Sequence, residues 1–309
     1  MHKNDTHFIV NPVAGGGKAH KLIPQIEHIL KKHFSVSSSI HITEKQGEAT
    51  QVVKEMLKLN NKVIVAVGGD GTVHESLNGF FNDKVPVNPS CELAIIKCGT
   101  GEDLSRSLNL PEHFDEQMQL LASPRFKTLD VGCVTYKDLN REKQHRYFLN
   151  ECQAGVGGKV VKNVGQANKT LLGNMSFGME TLKQALFYKA NRVTLQVDDQ
   201  LPQERKLLGI VIGNGRFCGG GMQLTPFAEM NDGLFDILLI KEMRFFKRIK
   251  AFLKIYSGKH IYSDCFESMK GKKIKIDSDE TVYIESDGEL LGTSPCEIEI
   301  MNNRLKVKC

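Results

Sequence analysis

The chain has 309 residues, 40% of them hydrophobic and 25% charged, with 41 Lys and Arg against 36 Asp and Glu and a formal net charge of +5. That is about twice the length of a typical domain, too apolar for disorder, and too weakly basic for charge alone to imply nucleic-acid binding. Apolar runs such as Val63 to Val67 and Leu207 to Ile212 fall far short of the roughly 20 residues that span a bilayer. The polar stretch from Met1 to His7 runs into a strand and not into the apolar core of a signal peptide, so a cytoplasmic protein is expected. Eight cysteines lie scattered without a CxxC pair or zinc-ligand spacing and read as reduced thiols, mostly core fillers.

The first 130 residues alternate short apolar runs with helical spacing, the pattern of a parallel sheet covered by helices. Phe8-Ile9-Val10 reads as a strand ending at Asn11-Pro12, and beyond the glycines Leu22, Ile23, Ile26, Ile29 and Leu30 recur on one helical face. Ser37 to Ile42 reads as a second strand, and Ala49, Val52, Val53, Met56 and Leu57 mark an amphipathic helix. Lys62 to Val67 is a buried-strand run stopping at Gly68, and Leu93 to Ile96 is another, ending at Cys98-Gly99. Three strand ends thus open into glycine-bearing loops, where open α/β sheets bind ligands. After Leu129-Asp130-Val131-Gly132 the texture changes to short β-like runs: Tyr147 to Cys152, Arg192 to Val197, Leu207 to Gly213, Leu234 to Ile240, Lys273 to Ile276, Val282 to Glu285 and Glu297 to Ile300. These predict an antiparallel sandwich. The expected boundary lies near residue 133, with a last strand over 304–309 packing back on the first domain.

The loop Asn11 to Lys18 is glycine-rich and follows a strand, so its N–H groups can cradle phosphate oxygens; Ala19 after Gly17-Lys18 rules out a Walker A loop. Gly68-Gly69-Asp70-Gly71-Thr72 is more informative, because glycines permit close backbone approach while Asp70 and Thr72 present a carboxylate and a hydroxyl. An acid beside phosphates points to a metal; the alternative is a turn in which Asp70 caps a helix. Gly99-Thr100-Gly101-Glu102-Asp103 repeats the design. In the second half, Asp232 suits either a cation or a β-turn, and Ser286-Asp287-Gly288-Glu289 suits either a hairpin turn or a general base.

Taken in order, these motifs resemble the diacylglycerol kinase catalytic-domain family, which includes bacterial lipid kinases and the sphingosine and ceramide kinases. The series runs from Asn11-Pro12 through Thr43, Gly47 and Ala49, Gly68 to Thr72, Asn78-Gly79, Gly99 to Asp103 and Leu129 to Gly132. It continues with Asn214, Gly219-Gly220-Gly221, Pro226, Ala228, Asp232-Gly233 and Asp287-Gly288-Glu289. GGDGT alone is shared with NAD kinases and phosphofructokinase-like folds. The resemblance implies an NAD-kinase-like parallel α/β nucleotide domain over 1–133 and a β-sandwich lipid-binding domain over 134–303. It implies an ATP site lined by Asn11, Pro12, Val13, Ala14, Gly15, Thr43, Gly68, Gly69, Asp70, Gly71, Thr72, Val73, His74 and Thr100. It further implies magnesium near the phosphates, supported through water by Asp70, Asp103 and Asp130. A structural magnesium would sit at Asp232 with the carbonyls of Glu229 and Leu234, and Asp287 or Glu289 would take the proton from a lipid hydroxyl. Glu48 and Glu102 depart from the family pattern, where His and Asn are usual.

Lys241 to Lys259 carries seven Lys or Arg and one acid, with Phe245, Ile249, Phe252 and Tyr256 on one stripe. This reads as a helix packed on the sandwich with a solvated basic face. The sharper reading has Arg244, Lys247, Arg248 and Lys254 facing anionic headgroups. The function expected is an ATP- and magnesium-dependent lipid kinase of phospholipid metabolism, peripheral to the inner face of the membrane. The acceptor would enter between the two domains and no nucleic-acid partner is expected; a homodimer is left open. The alternatives are an NAD kinase and a catalytically silent nucleotide-binding regulator.

Overall fold

The computed structural model describes residues 5–33, 38–59, 61–138, 142–166 and 173–309; Met1 to Asn4 of the polar start and Ser37 of the second strand lie outside them. The chain forms two units, Met1–Val131 with Asn302–Cys309, and Gly132–Met301.

In the first unit β1 (Thr6–Val10), α1 (Ala14–His33), β2 (Ser39–Ile42), α2 (Glu48–Lys58), β3 (Val63–Gly68) and α3 (Asp70–Gly79) alternate. After a two-stranded turn, β4 (Phe81–Asn82) and β5 (Val85–Pro86), come β6 (Glu92–Lys97), α4 (Asp103–Ser107) and α5 (Phe114–Ala122). The strands run parallel in the order β2-β1-β3-β6. Lys306 and Val307 pair parallel with Glu92 and Leu93 on the far side of β6. Both faces of such a sheet are covered, which is why Phe8–Val10 of β1 and the whole of β3 read as unbroken apolar runs. Phe8, Val10, Val65, Val67, Ala94 and Ile96 meet Ile23 and Ile26 of α1 and Leu121 of α5 in one core.

The second unit takes up β7 (Lys127–Lys137) part-way and continues with β8 (Lys143–Phe148), β9 (Glu151–Gly155), α6 (Val156–Gln166), α7 (Gly173–Phe187), β10 (Asn191–Val197) and β11 (Gln203–Gly213). Then follow β12 (Phe235–Lys241), α8 (Phe245–Ile255), β13 (Phe266–Gly271), β14 (Lys273–Asp277), β15 (Tyr283–Ser286), β16 (Glu289–Thr293) and β17 (Cys296–Val307). The strands of this unit are antiparallel, and β11 organises them. Its first half pairs with β10 and its second half with β9, while β12 pairs with it from Leu207 to Gly213. A strand shared in this way turns the sheet through a corner. Phe148, Ile210, Ile212, Phe235, Ile237, Ile274, Ile284 and Ile298 fill the core. Phe148 and Phe235 stack with ring centroids 5.6 Å apart.

Three expectations need correction here. The last strand is not confined to 304–309 but runs unbroken from Cys296. Helices α6 and α7 interrupt what reads as all-β sequence. Gly158 of α6 lies so close to β15 that a Cβ there would stand 2.3 Å from the Tyr283 carbonyl oxygen. Finally, none of α8 is buried. Its inward face carries Ala251 and Ile255, while the stripe expected to pack leaves Phe245 and Ile249 exposed. All eight cysteines are free, and among the described residues no helix is long and apolar enough to cross a membrane.

Candidate functional site

The glycine loops gather at the carboxyl ends of β1, β3 and β6, held by backbone bonds: Asn11 N–H to Val67 O (3.1 Å), Thr43 N–H to Val10 O (2.9 Å) and Cys98 N–H to Gly68 O (2.8 Å). Contact is at its limit. A Cβ on Gly99 would stand 2.6 Å from the Gly69 Cα, and one on Gly15, which sits at φ +60°, would stand 1.9 Å from the Cys98 carbonyl oxygen. Only glycine lets these loops approach so closely. Gly15, Gly16 and Gly17 all have positive φ inside α1, so the helix proper begins beyond them and the loop expected from sequence survives within its first turn.

Asp70 joins the second loop to the third. Its carboxylate accepts the N–H groups of Asp103 (3.3 Å) and Leu104 (3.4 Å), so it caps α4 rather than its own helix. Asn11 Nδ2 donates to Thr72 Oγ1 at 3.3 Å, and Asn11 Oδ1 accepts the Val13 N–H. The structure therefore brings Asn11, Val13, Gly15, Thr43, Gly69, Asp70, Thr72 and Gly99 into adjoining loops. Two assigned side chains turn away. Val73 and His74 are buried within α3, with His74 Nε2 3.4 Å from Asn78 Nδ2, because the helical repeat carries them off the loop face.

The two departures from the family pattern have local explanations. Glu48 accepts the N–H groups of Glu44 (2.8 Å) and Lys45 (3.2 Å) and meets His41 Nε2 at 2.7 Å. Those backbone bonds, then the histidine, hold its carboxyl below the usual range, and it closes the turn before α2 as a capping group does. Glu102 lies 3.7 Å from Lys97 Nζ, whose charge offsets the one that glutamate adds to the loop.

The acids assigned to magnesium are differently engaged. Asp103 pairs with Arg106 at 2.7 Å, and Asp130, fully buried, accepts the Asn303 N–H at 2.7 Å. Among the described residues no three His, Cys, Asp or Glu stand together as a metal cage. A magnesium ion at the phosphates fits only as Mg²⁺ usually does, through phosphate oxygens and water. The structural magnesium does not fit. Asp232 Oδ2 is 2.8 Å from Lys270 Nζ, which also reaches Asp236 Oδ2 at 3.3 Å, and Asp232 Oδ1 accepts the Leu234 N–H. The β12–β13 register places Lys270 opposite Asp236, so an ammonium group stands where the ion was expected. Glu229 is exposed.

In the second unit Asp287 and Gly288, at φ +45° and +83°, form the two-residue turn between β15 and β16, the primed geometry that favours Asp-Gly. The Asp287 carboxylate accepts three backbone N–H groups: Leu149 (3.0 Å), Asn150 (3.1 Å) and Glu151 (2.9 Å). From the other side Asn214 donates its Nδ2 to Leu149 O at 2.7 Å and its N–H to Asn150 O at 2.9 Å. Residues 149–151 are thus gripped through both donors and acceptors. Glu289 pairs with Arg146.

Sequence reasoning missed Glu151 and Glu285, both buried. Burial first, then the neighbouring Glu285 charge and a hydrogen bond to it, raise the Glu151 carboxyl well above its ordinary range. Two carboxyls buried side by side resist ionising together. The available signal was the acid that closes the otherwise apolar run Val282 to Glu285.

Residues 5–134 match the family described as diacylglycerol kinase catalytic domain, and residues 150–309, over half of the chain, match the YegS C-terminal NAD kinase beta sandwich-like domain. The chain belongs to the diacylglycerol kinase catalytic-domain family. Similar members are a diacylglycerol kinase of Bacillus subtilis, 26% identical over 94% of this chain and 91% of that one, and another from Staphylococcus saprophyticus, 26% identical over 93% and 90%. A crystal structure of a candidate diacylglycerol kinase from Bacillus anthracis superposes with a TM-score of 0.76 at 27% identity, covering 100% of this chain and 98% of that one. Yeast NADH kinase shares the fold alone, with a TM-score of 0.54 at 12% identity over 99% of this chain and 83% of the other. The NAD-kinase-like parallel α/β half and β-rich second half expected for this family are what the structure contains.

Proposed function

We propose that this family member is an ATP-dependent lipid kinase that transfers the γ-phosphoryl group to a lipid hydroxyl. The observation that carries the reading is the contact of the Gly69 and Gly99 backbones with Asp70 bonded across them, which presents N–H groups and a carboxylate to a polyphosphate. Bound magnesium supplies neutralisation of phosphate charge. The Gly15, Gly16 and Gly69–Gly71 N–H groups hold the phosphates, and Asn11 and Thr72 fix the spacing of the two loops. The acceptor oxygen bonds to the γ-phosphorus as the bond to ADP breaks, and the hydroxyl proton passes to a carboxylate. We assign that proton to Glu289, because the Asp287 oxygens are already committed to three N–H donors. Asp287 is the positioning residue.

The test is a labelled-ATP assay against diacylglycerol, monoacylglycerol, phosphatidylglycerol, a sphingoid base and NAD, with products separated by chromatography. Labelled phospholipid is the expected result. A labelled NAD product would move the chain to the NAD kinase reading, and ATP binding without any product would make it a silent regulator.

A further inference from the structure

Helix α8 has two faces, and the outer one is the unusual one. Inward, Ala251 and Ile255 pack on the cluster of Leu208, Val211, Met243 and Phe266. On the same side the Arg248 guanidinium donates to the carbonyls of Met243 (3.0 Å), Leu186 (3.1 Å) and Tyr188 (2.7 Å). That arginine stitches α8 to the end of α7 and does not face solvent as the sequence implied. Outward, Phe246, Ile249 and Leu253 stand at i, i+3 and i+7, the first and last 77% and 71% exposed. Phe187, 68% exposed, extends the apolar surface from α7 and packs on Phe245 with ring centroids 5.8 Å apart. An open groove of about 510 Å³ lined by Leu186, Phe187, Tyr188, Met243 and Phe245 continues it.

The charge around this surface is mainly basic; the acid that lines the groove, Glu242, pairs with Lys206 at 2.9 Å. Helix α8 holds Lys247, Arg248, Lys250 and Lys254 and no acid. Lys247 is paired with Asp264 at 2.9 Å. Arg244, Lys250 and Lys254 are exposed and meet no acidic side chain among the described residues. Apolar side chains projecting from a helix flanked by unneutralised cations form the pattern of a segment lying in a membrane interface. A water-facing helix needs no exposed phenylalanine, and a protein partner large enough to cover an apolar patch is not ordinarily bound through uncompensated lysines.

We propose that the outer face of α8 docks on an anionic lipid bilayer, with Phe246, Ile249 and Leu253 entering the acyl boundary and Arg244, Lys250 and Lys254 meeting headgroups. The proposal goes beyond the kinase reading and does not depend on phosphoryl transfer, so its test reads binding alone. Full-length protein is sedimented with phosphatidylcholine vesicles with and without phosphatidylglycerol, over a range of salt.

Binding should require phosphatidylglycerol and weaken as salt rises. Lys250→Gln with Lys254→Gln should lower the partition coefficient about 25-fold at low salt, about fivefold per charge, and flatten the salt dependence. Phe246→Ser with Leu253→Ser should lower it at least ~tenfold at every salt concentration. Since all four side chains are exposed, circular dichroism should match the parent. Equal binding to neutral and anionic vesicles, or parental binding by both double variants, overturns the proposal. So does a vesicle-free dimer that the serine pair dissociates, which would make a second copy the occupant. If the serine pair disturbs folding, the glutamine pair decides alone.

Discussion

Replacing Asp287 by Asn changes one oxygen to a nitrogen and leaves the turn geometry available, so the effect on its three bonds can be worked out. Oδ1 accepts from Asn150 and Glu151 and can go on doing so, at reduced strength once the charge is gone. The other position, now an NH₂, confronts the Leu149 N–H donor, 3.0 Å away in the parent. One charge-assisted bond is lost outright and two are weakened; each is worth about 1.5–3 kcal/mol when intact. Allowing for partial exposure of the residue, Asp287→Asn should open residues 149–151 by about 2–4 kcal/mol. Amide hydrogen exchange at Asn150 and Glu151 should then accelerate ~30- to ~700-fold. Glu289→Gln removes a partly exposed ion pair with Arg146 and should shift local stability by less than about 1 kcal/mol. Its cost should fall on the phosphorylation rate, on the order of 10² to 10⁴. Parental exchange rates in Asp287→Asn together with a rate loss of that size would return the base role to Asp287 and refute the division of labour.

Gly99→Ala should reduce ATP affinity measured by calorimetry at least ~tenfold, since the new methyl group must push the Gly69 backbone away; a folded variant with parental affinity would remove these loops from the nucleotide site. His260, enclosed against Phe266 with ring centroids 4.9 Å apart, has its imidazole pushed down to about 4 by burial. The unfolded chain takes up this proton below about pH 6.5 and the folded chain only near 4, so stability present above 6.5 is lost as acid is added across that window, by on the order of 3 kcal/mol. His260→Phe should be less sensitive to acid than the parent between those limits, and identical slopes would contradict the assignment. Thermal unfolding of the parent should not respond to EDTA or added magnesium, while Lys270→Met should lose up to about 1 kcal/mol and regain part of it with magnesium; a parent destabilised by EDTA would restore the metal to Asp232.

The parallel half of the fold was legible because its strands are buried on both faces and end at Asn-Pro or at glycine, which makes β1, β3 and β6 read as apolar runs with punctuation. The loops of the candidate site were legible for the same reason. What could not be read were relations between distant residues. Nothing in Gly157-Gly158 announces a helix, since glycine lowers helix propensity, and only the β15 backbone lying against Gly158 explains its presence. Asp287 looks like a turn residue or a base until Leu149, Asn150 and Glu151, more than 130 positions away in sequence, are seen donating to it. Arg248 counted as a surface cation from its neighbours in sequence, and two of the three carbonyls that hold it belong to α7 and the segment after it. Glu151 and Glu285 became a pair only through the docking of β15 on β9.

The placement of Lys306 and Val307 beside β6 has a consequence for synthesis. A ribosome releases β1 through β6 long before these residues exist, and until then the Glu92–Leu93 edge offers unpaired backbone groups, the feature that invites association with a foreign strand. The first unit, earliest to be translated, is therefore last to be finished. Its closing bonds, from the Lys308 N–H to Leu93 O at 2.8 Å and from Lys308 Nζ to Glu92 at 3.1 Å, form only after the whole intervening unit has emerged. A nascent chain stalled within that unit would carry an open sheet edge, which makes the order of translation a folding hazard specific to this connectivity.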